Sequence, residues 1–117
     1  MQEPKLYKDL YQMSIHIFHR TRGFPKALRP TLGRKIEESS LNSLLNMRKA
    51  STAKPQIRLK YLYAVSESID ELRTLVQLSK ELKAMNVAGF NEISSLTKEV
   101  GREIGGLIKY EFNRGKK

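Results

Sequence analysis

The stretch LYAVSESIDELRTLV, residues 62–76, decides the fold. Its apolar side chains Leu62, Val65, Ile69, Leu72 and Val76 step by 3, 4, 3 and 4 residues. That spacing puts them on one face of an α-helix. Leu75, Leu78 and Leu82 widen the stripe, and the spacing predicts a helix over about 56–85. A helix of that length spans roughly 45 Å at 1.5 Å per residue, so it needs support along its whole length. The extra apolar face has two readings. It covers neighbours within the chain, or it meets a second copy.

The same period recurs on both sides. Leu6, Leu10, Met13 and Ile17 step by 4, 3 and 4. Pro4 suits the first turn of this helix, where its missing N–H costs nothing. Gly23, Phe24 and Pro25 stop it. A second helix begins between Pro25 and Leu32 and runs to about Ala50, with apolar positions Leu32, Ile36, Leu41, Leu44, Leu45 and Met47. Pro30 belongs in its first turn or just before it. Ser39, Ser40 and Ser43 interrupt the stripe and point to close packing against a neighbour. Residues 51–55 read as a connection, and residues 86–89 as a short turn leading into a fourth helix. Phe90, Ile93, Leu96, Val100, Ile104, Leu107 and Ile108 place that helix over about 89–112. The tail 113–117 is polar and expected to fray. No segment alternates as a strand does. Four amphipathic helices with short connections predict an all-α, up-down-up-down four-helix bundle, one domain over residues 1–117.

Composition removes many functions. The chain has 117 residues and no Cys, so a disulfide framework, a thiolate zinc site and a cysteine nucleophile are excluded. No apolar run approaches the ~20 residues that cross a bilayer, so no membrane partner is expected. Met1-Gln2-Glu3-Pro4 lacks the basic and apolar regions of a secretory signal, which makes the cytoplasm the expected compartment. His16 and His19 form an i,i+3 pair, but a third ligand is missing and Arg20 and Arg22 repel a cation. Glu67, Asp70 and Glu71 flank an apolar stripe and read as solvated or paired carboxylates, with Arg73 and Lys60 as partners. Gly101, Gly105 and Gly106 lack the Lys-Ser/Thr of a phosphate loop, and inside a helix they suggest close backbone approach. No nucleophile–base–orienter set is present. Neither an enzyme nor a cofactor is expected.

The charge carries the functional signal. Lys and Arg number 22 against 12 Asp and Glu, for a net charge of +10. Residues 1–60 hold 13 of those cations and 4 acids. No acid stands between Asp9 and Glu37, or between Glu38 and Glu67. An ordinary helical surface mixes signs, as the second half does at Lys80–Glu81, Lys98–Glu99 and Arg102–Glu103. Two long gaps without acid therefore point to a polyanion rather than to solubility alone. The expected phosphate contacts are Arg20, Arg22, Lys26, Arg29, Arg34, Lys35, Arg48, Lys49, Arg58 and Lys60, converging on one continuous strip. Tyr7, Tyr11 and Phe18 offer rings for base stacking, although packing accounts for them more simply.

The stretch 24–38, FPKALRPTLGRKIEE, resembles the start of the second helix in Avd-type four-helix-bundle proteins. These are the accessory variability determinants of diversity-generating retroelements. They are related to small bundle proteins encoded in intervening sequences of bacterial large-subunit rRNA. Residues 72–82, LRTLVQLSKEL, and 99–109, EVGREIGGLIK, fit the same family in the same order. Gln77 stands where the family commonly has Arg, and Leu107 where it commonly has Trp. The resemblance implies a homopentameric barrel of four-helix protomers. It also implies RNA or DNA binding and association with a reverse transcriptase during template-repeat cDNA synthesis and mutagenic retrohoming. No catalytic residue comes with it. Two other roles stay open: a stand-alone bundle encoded within an rRNA gene, and a protein-interaction adaptor whose basic surface docks an acidic patch.

Overall fold

Each apolar stripe becomes the inner face of a helix in the computed structural model, which describes residues 5–115. The helices are α1 (Lys5–Thr21), α2 (Arg34–Thr52), α3 (Pro55–Glu81) and α4 (Val87–Arg114). Pro4 and the last two residues of the tail, Lys116 and Lys117, lie outside the described residues. Leu10, Met13, Ile17, Ile36, Met47, Leu62, Val65, Ile69, Leu72, Val76, Ile93, Val100 and Ile104 form one core. Each helix packs on its sequence neighbour, and α1 closes the ring against α4. The rod that results measures 51 × 20 × 20 Å.

The boundaries follow local chemistry. Asn86 caps α4 by accepting a hydrogen bond from the Gly89 N–H at 2.7 Å, which starts the helix at Val87 rather than Gly89. At the other end of that corner α3 stops at Glu81, four residues earlier than its apolar pattern suggests. Lys83 takes a left-handed φ of 57°, and the Ala84 N–H reaches back to the Ser79 carbonyl at 2.9 Å. This closure usually carries glycine; a lysine there leaves no signal in the sequence. Before α2 the chain makes a single π-helical turn, Arg29–Gly33, with Pro30 placed where its missing N–H breaks nothing. Phe24 is buried beneath this turn, and a Cβ on Gly33 would come within 3.5 Å of the Phe24 ring.

The serines of α2 do what their spacing suggests. Ser39, Ser40 and Ser43 are all buried. Ser14 of α1 donates to the Leu10 carbonyl at 2.9 Å and meets Ser40 at 2.7 Å. Ser39 donates to Glu71 of α3 at 2.8 Å. Small side chains let α2 approach both neighbours, and each hydroxyl has a partner, which burial requires. The later glycines of α4, Gly101, Gly105 and Gly106, behave otherwise. A Cβ on Gly101 would make ordinary contacts at 3.8 Å with Arg73 and Ile69. Gly105 and Gly106 face open space, so the expected close approach does not occur there within the chain. On the extra face of α3, Leu75 packs against the core while Leu78 and Leu82 stay exposed.

Replacing Ser40 by Leu puts two more heavy atoms where α1 and α2 touch. We expect Ser40→Leu to lower stability by about 1–3 kcal/mol, read from the midpoint of urea unfolding followed by circular dichroism.

Candidate nucleic-acid interface

An antiparallel bundle sorts residues by axial position. The C-terminus of α1, the N-terminus of α2, the C-terminus of α3 and the N-terminus of α4 share one end, here the double-corner end. Cross-helix contacts confirm the register. Arg20 reaches Glu92 at 2.9 Å, and Thr21 donates to Glu37 at 2.5 Å. At the opposite, single-corner end, Arg58 meets Glu111 at 3.4 Å.

This register divides the ten cations expected to bind phosphate. Arg20, Arg22, Lys26, Arg29, Arg34 and Lys35 lie at the double-corner end. Arg48, Lys49, Arg58 and Lys60 lie at the single-corner end. The nearest members, Lys35 and Arg48, stand about 20 Å apart along α2 at 1.5 Å per residue with no cation of that helix between them, so the ten form two groups rather than the continuous strip expected from the sequence. Further residues join each group: Lys80 and Lys83 at the first end, and at the second Lys109 and Arg114 from far along the chain with nearby Lys54. Among the described residues the acids of the first end are Glu37, Glu38, Glu81 and Glu92, and the second holds Glu111 alone. The ends therefore carry +4 and +6. Between them stand five cations and six acids, a waist of −1. Sequence reasoning missed the later lysines because they sit among acids along the chain and away from them in space.

The ten cations differ in what they are already bonded to. Arg22, Lys26 and Arg29 line one cleft of about 520 Å³, with Thr21 and Glu37 in its wall. Arg29 also donates to the Phe24 carbonyl at 3.1 Å. Lys35, Arg48 and Lys49 are exposed and have no carboxylate within 4 Å among the described residues. Lys60 lies 5.8 Å from the centre of the Tyr61 ring, and Arg34 pairs with Glu38 at 3.6 Å. Arg20 is held by both oxygens of Glu92, and His16 approaches the same carboxylate at 3.2 Å. Arg58 has a side chain only 12% exposed. It donates to the Ala50 and Ala53 carbonyls at 3.1 and 2.9 Å as well as to Glu111. These bonds tie the end of α2 to α3 and α4, so Arg58 serves the fold.

Other candidates find ordinary surroundings. Tyr7 is half-buried against the core, while Tyr11 and Phe18 line a groove between α1 and α2 of about 320 Å³ with Ile15, His19 and Leu41. Of the acidic cluster, Glu71 accepts from Ser39, and no ion pair joins Glu67, Asp70 or Glu71 to Arg73 or Lys60 among the described residues. Glu67 and Asp70 are exposed, so of the two expectations solvation holds for them and pairing with Arg73 or Lys60 does not. Among the described residues no three His, Asp or Glu groups come together around a possible metal.

With this geometry in place, the comparison with known families is decisive. A profile described as bAvd-like matches residues 5–111. The chain belongs to the bAvd-like family. The resemblance carried by residues 24–38, 72–82 and 99–109 is thereby confirmed, and the four described helices agree with it. No curated protein matches the chain. No helix of this bAvd-like protein is long and apolar enough to cross a membrane, among the described residues.

Two carboxylates give the fold opposite pH dependences. The Arg20 guanidinium beside Glu92 holds that carboxyl below its usual value. Burial pushes Glu103 up, with one oxygen buried and unpartnered, even though Lys5 bridges it to Asp9. A lowered folded pKa stabilises above the unfolded value and is lost as pH falls; a raised one does the reverse. At pH 7, Glu92→Gln should therefore lower stability, by under about 1 kcal/mol for so open a pair. Glu103→Gln should raise stability at the same pH. In denaturant titrations the Glu103 difference should vanish once pH falls below the ordinary carboxylate range, and the Glu92 difference only at lower pH, as its lowered folded pKa is passed.

Proposed function

We propose that this bAvd-like protein is a non-catalytic, nucleic-acid-binding accessory protein of a diversity-generating retroelement. In this reading it binds RNA or DNA and the reverse transcriptase, and supports template-repeat cDNA synthesis and mutagenic retrohoming. It acts as a homo-oligomer, a pentamer by family likeness. The observation that carries the reading is the set of exposed cations at the bundle ends that lack a carboxylate partner, above all Arg22, Lys26, Lys35, Arg48 and Lys49. Surface cations that serve only the fold are normally paired with nearby acids. Cations left open attract phosphate by Coulomb forces and by release of condensed counterions. Arg22 and Arg29 add the planar fork that holds a phosphate with two parallel bonds. Assembly would repeat +10 in every subunit and deepen the field.

The groove between α1 and α2 favours a second reading, an adaptor that docks another protein. Tyr11 is 50% exposed, and Ile15 and Leu41 stand beside it in a groove that Arg22 also lines. The two readings are compatible, because an accessory protein can touch enzyme and template together. A nearby reverse transcriptase gene with a repeat pair supports the retroelement role. An rRNA gene around the reading frame supports the stand-alone one.

Binding by phosphate contact has a fixed signature. Affinity for a duplex, an RNA–DNA hybrid and a structured RNA should fall together as salt rises. With about six contacts, the loss from 50 to 200 mM salt is roughly 10³-fold. Fluorescence anisotropy across a salt series measures it, and a flat response overturns the nucleic-acid reading. Co-purification with a reverse transcriptase that survives nuclease treatment would place the enzyme contact on protein rather than on shared nucleic acid.

A further inference from the structure

We infer that each bundle carries two separate phosphate-binding poles and holds two segments of nucleic acid at once, rather than one segment along a single track. The inference rests on the nucleic-acid reading above and adds the number and place of its sites. It follows from where the fold puts charge. The double-corner end carries +4 and the single-corner end +6, with a waist of −1 between them.

Distance makes the poles independent. The α3 helix joins the two ends, and its 27 residues cover about 40 Å at 1.5 Å per residue. Screening at physiological salt has a length of about 8 Å, so neither pole feels the field of the other. A duplex laid along the rod would have to pass the waist. On α3 it would meet Glu67 and Asp70, both exposed and without a cation within 4 Å among the described residues. On the side of α1 and α2 it would meet Ile15, Leu41 and Leu45, which offer phosphates nothing, and only the single groups of Lys8 and Tyr11 beside them. Of the cations counted in the waist, Arg73 and Lys98 stand on its double-corner side, where they line a pocket with Gln77 and Phe90. Beyond Lys98 the next cation of α4 is Arg102, already paired with Glu99. Each pole, by contrast, has exposed cations from several elements: Arg22, Lys26 and Lys35 at one, Arg48, Lys49 and Lys60 at the other. A second duplex thus finds an open pole after the first has bound.

The test neutralises one pole at a time. One variant carries Arg22→Gln, Lys26→Gln and Lys35→Gln. The other carries Arg48→Gln, Lys49→Gln and Lys60→Gln. All six residues are exposed, and circular dichroism with thermal melting checks that both variants keep the wild-type fold. The probe is a DNA hairpin with a five-base-pair duplex stem, about 17 Å long at 3.4 Å per pair, shorter than the roughly 20 Å of α2 between Lys35 and Arg48. Titration at low salt, followed by sedimentation, reads the number of duplexes bound per chain at saturation. The inference expects that number to halve in each variant, and binding to disappear when the two sets are combined. Loss of all binding in one variant with no change in the other overturns it in favour of a single pole. Unchanged saturation in both variants overturns it as well, since the phosphates would then be held elsewhere. If the wild-type protein binds neither this duplex nor a 24-base-pair one at low salt, the nucleic-acid reading itself falls. Binding of the longer duplex only, weakened by either variant, would instead show one continuous track.

Discussion

Two short reversals control this molecule. Between α2 and α3 the chain has only Ala53 and Lys54 in which to turn, and between α3 and α4 only residues 82–86. Helices joined by so few residues run antiparallel and adjacent. Each then buries its apolar stripe against the helices on either side, the main favourable term in folding. Antiparallel order also fixes which residues share an end. Cations spread over more than eighty positions of the sequence therefore collect at two places in space.

Specific bonds set the register of this arrangement. The Arg58 guanidinium ties the last carbonyls of α2 to the end of α4 through Glu111. The last carbonyls of a helix lack the usual i+4 N–H; Ala50 has only the long Ala53 N–H at 3.4 Å besides Arg58. Arg20 and Glu92 make the matching link at the other end, from α1 to α4. Between them the buried serines of α2 keep the helices close. Two of the most basic-looking positions are thus occupied by structure. The surface left for a ligand is smaller than the net charge suggests, and it is divided.

Much of the fold was legible in the chain, because hydrophobic period is a local property. Leu62 to Val76 place α3 without help from the rest of the structure. Ser39, Ser40 and Ser43 announced a close contact, since small polar residues in an apolar stripe have few other uses. Lys83 gave no warning, because a left-handed corner held by lysine looks like continuing helix. The glycines at 105 and 106 misled in the other direction, suggesting a contact that their outward face does not make.

The sequence by itself determined the helical class, the basic excess, the likeness to Avd-type proteins and the absence of thiol chemistry. These depend on residue type and on spacing within about twenty positions of the chain. Only the tertiary structure decided that the positive charge forms two ends and a waist, and that Arg20 and Arg58 are bound by carboxylates far along the chain. Coulomb forces act through space rather than along the backbone, so which charges are neighbours becomes known only when the helices have been laid side by side.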